Sequence, residues 1–571
     1  MKKIISLLLA LVLLATACFT LASCGAPEDD GAEIAVYLGN GIYDLDPTEY
    51  YVDSNAEQVM SLLFEPLFRY EDGKLKNGVA ESYTVDREKR EIVITLRETY
   101  WSNNTKVQGS DFIYAWGERL LSPNNANPAA ALLYDIENAL AIKSGVMSPA
   151  ELKAEASGNT ITITYREGAD YEQLLINLAS VATAPVRQAT VDTTPTYWSK
   201  VTTTIMTNGP FKVNKYNVAT SELVLARNNG YHQEFDVEDY DNIVTPGKLI
   251  GFTTALGETV EVSYADIENK TVFYMTDAPL ADRIANKGEA KVSDDTSVYT
   301  YVFNTEKPLF AIPEVRRALS MAIDRQAIVD AIAFGKAADG FVPDISGGSD
   351  AALIATGAKS TEAAALLSGV NLTGIDKSFT LTVADDEESK TIANLVKAAW
   401  DALGFNVTVQ PVTTKQFTVG TGESAIGISD SYIQSTVKDI ALAGADFDVI
   451  AIDWQTYTTD AFVALASLTS SMNGCGKELP YGAARTSITG WVNADYDYCV
   501  TAAYKASGEE RANMLAEAER ILCEESPIVP IVFNQNIAFV SEELSRVDFD
   551  SFGNVVLTEA ELKNYKDYLE E

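Results

Sequence analysis

Between residues 390 and 410 the apolar positions change period, and that change restricts the fold more than any other stretch of the chain. Ile392, Leu395, Val396, Trp400 and Leu403 recur at helical spacing, Gly404 interrupts, and "FNVTVQPV" follows at period two. Helix, tight turn and strand in that order form half of a βαβ unit, which demands a parallel strand pair. A glycine just past the last helical apolar position suits the left-handed residue that ends many helices. "FDVIAIDW" (447–454) is a nearly continuous apolar run, as in a strand buried on both faces. Its end, Asp453-Trp454-Gln455, then falls at the carboxyl edge of a sheet, where open α/β folds bind ligands.

The same alternation runs along the rest of the chain. Period-two stretches cover 91–97, 159–165, 221–227 and 297–303. A helix is predicted over 314–334, with Pro313 suited to its first position, and another over 509–523. Residues 346–368, rich in Gly, Ser and Ala, read as a surface connection or a small helical excursion. The expectation is an α/β protein with no internal repeat, and its 571 residues suffice for two or three domains.

Composition then removes whole classes of chemistry. Acidic residues outnumber basic ones 81 to 43, a formal charge of −38, so a nucleic-acid partner is excluded on electrostatic grounds. The single histidine, His232, rules out multi-histidine metal sites and reads as a surface-loop residue. No phosphate loop of the GxxxxGK[ST] type and no GxSxG elbow occurs. "DFDSFGNVVLTE" (548–559) has calcium-loop spacing only in part, since Phe552 stands at a ligand position. Cys475, Cys499 and Cys523 are too widely spaced for a zinc site and read as ordinary buried or half-buried thiols. Acid pairs such as Asp446/Asp448 and Glu524/Glu525 are what a hydrolase would use, but nothing in the sequence marks one as catalytic. The chain is read as no enzyme, with no cofactor and no metal.

Met1-Lys2-Lys3 followed by an apolar run to Ala22 has the form of a secretory signal peptide, residues 1–23. Leu21-Ala22-Ser23-Cys24 resembles the lipobox of bacterial lipoproteins, where the thiol takes a diacylglycerol after cleavage; Cys18 is a weaker candidate. A plain cleaved signal peptide and an uncleaved anchor are the alternatives. Residues 24–33 would carry the lipid and a flexible tether that keeps the body off the membrane. Two acyl chains hold a protein where one would release it. The expected location is the extracytoplasmic face of the cell membrane, reached through the lipid anchor only.

A series of landmarks in fixed order is similar to the family 5 extracellular solute-binding proteins, the peptide- and oligopeptide-binding components of ABC importers. They are "LDP" (45–47), "SLLFEPLFRYEDGKLKNGVAESY" (61–83), Trp101-Ser102 with Ser110-Asp111-Phe112 and Tyr114-Ala115-Trp116, "TNGPFKV" (207–213) and "LVLARNNGYH" (223–232). "YVFNTEKPLFAIPEVRRALSMAIDRQAIV" (301–329) is the strongest, followed by "LGFNVTVQ", "FDVIAIDW", "GWVNADYD" (490–497) and "RANMLAEAERILCEESPIVPIVF" (511–533).

The resemblance implies a two-lobed periplasmic-binding-protein-like fold, type II of the large peptide-binding class, with an extra inserted segment. Lobe I would comprise 31–67, 205–296 and 525–571, the inserted segment 68–204, and lobe II 297–524. A peptide ligand would lie in the inter-lobe cleft, paired to strand edges and enclosed by hinge closure. The partners would be an ABC permease and separate ATPase subunits, with the protein itself a monomer. Other family members bind nickel complexes, haem, sugars or opines, and a surface sensor on the same fold is a further alternative.

Candidate ligand contacts are Trp454 as a pocket wall, flanked by Asp453 and Gln455, and the tyrosines Tyr299 and Tyr301 on one strand face. Tyr50 and Tyr51 match a cleft segment of the family, and Asn208-Gly209 is a candidate hinge or backbone contact, with a plain turn as the alternative. One departure stands out. Oligopeptide binders carry an aspartate just after this tryptophan to pair with the ligand's α-amino group, whereas "DWQTYTTDAF" places Thr456 or Tyr457 there. Asp453 or Asp460 is the candidate replacement. Pro128 is followed by Ala129-Ala130, where the family has an aromatic.

Overall fold

The structure, a computed structural model, describes residues 32–39, 45–48, 54–125, 127–195, 198–199, 202–217, 222–232, 244–250, 262–412, 447–473 and 488–563. Cys24, Tyr50, Tyr51 and Cys475 lie outside the described residues. The period change at 390–410 is a βαβ unit. Strands Ser378–Ala384 and Asn406–Val412 pair in parallel along their whole length, joined by helix Glu387–Ala402. Asp386 caps that helix by accepting the Ser389 N–H at 2.7 Å, and Gly404 ends it with φ 91°. Ile392, Ala393, Val396 and Trp400 form the buried stripe, whereas Leu395, expected inward, lies beside it and is 41% exposed.

Trp400 organises the core beneath this unit. Its ring lies 5.8 Å from Tyr301, 6.1 Å from Phe303 and 5.6 Å from Phe379, and its Nε1–H donates to the Leu319 carbonyl at 2.9 Å. An indole buried with its one polar atom satisfied contributes its full apolar area.

One mixed sheet runs through the molecule. Its order is Asn406–Val412, Ser378–Ala384, Val449–Gln455, Lys291–Phe303, Ile528–Val540, Tyr274–Thr276, Ala32–Tyr37, Val244–Ile250, Glu222–Arg227 and Phe211–Asn217. Val449–Gln455 is parallel to Ser378–Ala384 and antiparallel to Lys291–Phe303. The two central strands, Lys291–Phe303 and Ile528–Val540, are antiparallel and 13 residues each, the longest in the sheet. A separate four-stranded antiparallel sheet, in the order Ala80–Asp86, Glu91–Leu96, Thr160–Thr164, Ala154–Ser157, is folded within residues 68–204.

The helix predicted over 314–334 is two helices, Pro313–Met321 and Arg325–Ile332. Asp324 breaks the run because its side chain accepts the Ala327 N–H at 3.0 Å, starting a new helix. Pro313 does occupy the first turn of the earlier helix. The break frees Arg325 to turn inward. Its guanidinium donates to the carbonyls of Pro530 at 2.7 Å, Ser320 at 3.2 Å and Ala355 at 3.1 Å, and to the Ser320 hydroxyl at 3.0 Å. Burial pulls its pKa down to about 10, since no carboxylate offsets the lost hydration. Arg325→Met is therefore expected to leave buried carbonyls without donors and to lower stability by ~2–4 kcal/mol, read as a reduced urea midpoint at unchanged slope.

Candidate functional site

The two central strands do not pair without interruption. Asp294 lies opposite Gln535 but Val298 lies opposite Phe533, so two extra residues of the first strand leave the ladder at Asp295-Thr296. At the same level the neighbouring strand ends: Ser297 pairs with Gln455, and Thr456 N–H donates to the Thr296 carbonyl at 3.0 Å. Tyr457 follows with φ 61°, a left-handed conformation that an aromatic residue rarely adopts.

Four acids lie in the region of this slip, near enough to feel one another's charge but not gathered tightly enough to hold a metal ion. Glu57, on helix Ser54–Leu63, is 5% exposed; Asp295 is 7% exposed; Asp550 lies in the turn after strand Asp548–Phe549; Asp453 is the exposed position of strand Val449–Gln455. Burial and then the charges of Asp295 and Asp550 push Glu57 up to about 8. Burial and then Asp453 push Asp295 up to about 7, and burial pushes Asp550 up to about 6. Asp550 accepts N–H bonds from Phe552 at 2.9 Å and Asn554 at 2.8 Å, and the Asn554 amide at 3.0 Å. Asp453 accepts from Asn534 Nδ2 at 2.8 Å, and that amide also reaches the Ser297 hydroxyl at 2.9 Å. No lysine or arginine among the described residues pairs with Glu57, Asp295 or Asp550.

The structure redistributes the residues expected to touch a ligand. Gln455 and Asp453 share the strand face that meets the acid cluster, and the Gln455 Oε1, on a side chain 4% exposed, has no hydrogen-bond partner. Trp454 points the opposite way. Its indole packs 6.0 Å from Phe341 and donates to Ser467 Oγ at 3.1 Å, so it fills the core on that face instead of walling a crevice. Tyr299 and Tyr301 do share a face, the one that also carries Asp453, but further along the strand it is covered: their rings pack 5.8 Å apart, against the Trp400 cluster. Strand alternation explains the Trp454 correction, since neighbouring residues serve opposite sides of a sheet covered on both; the tyrosines are removed by what packs over their part of the face.

Asp460 is not available as an amino-group anchor. It caps helix Ala461–Ala466 through the Phe462 N–H at 3.1 Å and pairs with Arg511 at 2.6 Å. Asn208 clamps the chain instead of hinging it: its amide accepts the Glu65 N–H at 3.1 Å and donates to the Glu65 carbonyl at 2.8 Å. Gly209 lies so close to Leu63 that a Cβ would stand 2.7 Å from its carbonyl carbon. His232 is buried, not on the surface. Its Nε2 faces Glu65 at 2.5 Å while Arg97 donates to Nδ1 at 3.2 Å, and Arg69 and Tyr231 also reach Glu65. Opposed by burial but outweighed by Arg69 and His232, the Glu65 carboxyl is held down at about 2.

The 548–559 stretch is an Asp550-capped turn, not a calcium loop, and no cluster of three potential metal ligands occurs among the described residues. Asp448 and Glu525, members of the candidate catalytic pairs, serve the frame: Asp448 accepts the Thr380 N–H at 3.0 Å and Glu525 pairs with Arg316 at 3.4 Å. Cys499 and Cys523 are buried free thiols. No helix of the described residues is long and apolar enough to cross a membrane.

Comparison with known proteins places this geometry. The model of the bacterial extracellular solute-binding proteins, family 5 middle, matches residues 74–474. The chain is 24% identical to the dipeptide-binding protein DppE of Bacillus subtilis, over 93% of this chain and 94% of that one. It is 27% identical to the periplasmic murein peptide-binding protein MppA of Escherichia coli, over 83% of this chain and 82% of that one. The solved structure of the pheromone receptor PrgZ superposes with a TM-score of 0.75 at 20% identity, covering 94% of this chain and 100% of that one.

The raised carboxyl of Glu57 has a pH signature. Its ordinary value is 4.5 and its folded value about 8, so the fold holds the proton more tightly than the unfolded chain does. That contribution is complete below about pH 4.5 and is lost as the pH rises through about 8. Glu57→Gln keeps the shape and removes the loss. The variant is expected to melt with wild type near pH 4.5 and a few degrees above it at pH 8.5, followed by calorimetry; equal melting at both pH values refutes the assignment.

Proposed function

Since the chain belongs to the bacterial extracellular solute-binding proteins, family 5, we propose that it captures oligopeptides between its two lobes and hands them to the membrane permease of an ABC importer. The names of its relatives, a dipeptide binder and a murein peptide binder, support the ligand class. The observation that carries the reading is a strand edge. Among the described residues, the side of Val449–Gln455 facing away from Lys291–Phe303 is paired only at Val449 and Ile450. An extended peptide added along 451–455 would gain main-chain hydrogen bonds without regard to its side chains.

The lobes in this reading are 31–67, 205–296 and 525–571 with the inserted 68–204 on one side, and 297–524 on the other. Both boundaries at the crossing fall inside or beside the two 13-residue strands, where a bend costs only a change of twist. Contacts across that division support a closed arrangement. Thr458 Oγ1 donates to Asn177 at 2.7 Å, Tyr504 OH donates to the Tyr134 carbonyl at 3.0 Å, and the Arg166 guanidinium stacks 3.9 Å over the Tyr504 ring. Lipidation at Cys24 would hold the body on the extracytoplasmic face.

Three outcomes test this. Peptides of mixed sequence and narrow length are expected in the mass spectrum of ligands released from the purified protein; a sugar, haem or opine there refutes the ligand class. Arg166→Ala combined with Thr458→Val removes two cross-lobe contacts. It should enlarge the radius of gyration of the ligand-free protein in solution scattering and weaken peptide binding several-fold. Cys24→Ser is expected to move the protein from the membrane fraction to the soluble one, and wild type to carry a diacylglyceryl mass at its first residue.

A further inference from the structure

Resting on the peptide-binding reading, the geometry points to the cluster Glu57, Asp295, Asp453 and Asp550 as the seat of a cationic side chain, a lysine or arginine of the bound peptide. Elsewhere Glu65 has Arg69 and His232, Asp460 has Arg511, Asp46 has Arg119 and Asp135 has Arg166, while Glu519, 2% exposed, accepts three backbone N–H bonds. Glu57 and Asp295, both buried, and Asp550, half-buried, have no such partner among the described residues. Uncompensated carboxylates in one place are costly, and a cation from outside removes that cost.

A second observation points the same way. Gln455 stands directly opposite Ser297, and the Asn534 amide joins the Ser297 hydroxyl at 2.9 Å to Asp453 at 2.8 Å, so these side chains share one face of the sheet, two residues from Asp295. The Gln455 amide oxygen on that face is buried and accepts from nothing. Carboxylates can shed their charge by taking a proton, but an amide oxygen needs a donor. An ammonium brings three donors and a guanidinium five, so one head can serve the amide and a carboxylate beside it.

The arrangement favours a side chain over the peptide's own amino terminus. The cluster is open at exposed Asp453, on the strand end beside the free edge, and closed at Glu57. A slender methylene chain can pass Asp453 while its backbone stays at 451–455; an α-amino group would have to bring the backbone in with it. The groups that face Glu57 are Asp295, Asp550, Asn554 and the Tyr457 ring, none of them a cation.

Calorimetric titration of the mature protein with Ala-Lys-Ala, Ala-norleucine-Ala, Ala-Glu-Ala and acetyl-Ala-Lys-Ala, with 1,5-diaminopentane as a non-peptide cation, tests this. The lysine peptide is expected to bind at least tenfold tighter than the norleucine peptide, and the glutamate peptide weakest. The acetylated lysine peptide should keep that advantage over norleucine. Binding of the lysine peptide at pH 6.5 should release protons, seen as an enthalpy that varies with the buffer, because a cation entering the cluster lowers the raised carboxyls. Glu57→Gln with Asp295→Asn, its melting point checked against wild type, should shrink the lysine preference below threefold and abolish the proton release; Glu57→Gln alone serves if the pair misfolds. Equal affinity for lysine and norleucine peptides overturns the cation seat while leaving peptide capture standing. Loss of the lysine advantage on acetylation assigns the cluster to the amino terminus and overturns the side-chain assignment. Binding of the diamine with no peptide bound supports the cation seat and removes the peptide reading, and binding of none of these ligands overturns both.

Discussion

The antiparallel pairing of Lys291–Phe303 with Ile528–Val540 is the interaction on which the rest of this structure depends. These two strands occupy the centre of the mixed sheet, so the parallel βαβ edge and the opposite edge, with Ala32–Tyr37 and Val244–Ile250, meet through them. Backbone hydrogen bonds of a ladder tolerate twist but not separation, which makes such a pair a joint that bends without coming apart. The two-residue slip at Asp295-Thr296 is where the ladder yields, and it is also where an acid is turned out of the strand. The break in the ladder and the buried acid coincide.

Glu57 and Glu65 show how far surroundings decide what a carboxyl does. They lie eight positions apart, both are enclosed, and both lose hydration, yet one is raised to about 8 and the other lowered to about 2. Arg69 and His232 make the difference at Glu65; Glu57 has only other acids and an asparagine. Burial alone always favours the neutral form, so a buried carboxylate at neutral pH implies a partner. Where the chain supplies none, the supply of a cation from solution becomes part of the energetics.

Much of the frame was legible in the residues. The helix and strand that form the second half of the βαβ unit, the strand through Ile450 and Ile452, and the period-two runs at 91–97 and 159–165 are all present within about three residues, whereas the first strand of the unit, Ser378–Ala384, was not read. Local signals suffice there because apolar period and glycine placement are properties of short segments. The errors have one cause. Trp454 reads as a pocket wall from its place at a strand end, and Tyr299 and Tyr301 as ligand contacts from sharing one strand face, but whether part of a doubly covered sheet can meet a ligand is set by what packs on it. Glu57, Asp295 and Asp550 carried no signal at all, being single acids among 81 from distant parts of the chain. His232 looked like a loop residue because its partners, Glu65 and Arg97, lie more than 130 positions away.

By itself the sequence determined the α/β class, the family, and the exclusion of nucleotide-loop and multi-histidine chemistry. Each of these rests on spacing within a window or on a residue type being scarce. Only the tertiary structure decided that Trp454 belongs to the core, that Asp460 is consumed by Arg511, and that Glu57 and Asp295 are buried near other acids. Charge and burial are properties of neighbourhoods in space, and a chain reveals those only after the strands that bring its distant parts together have paired.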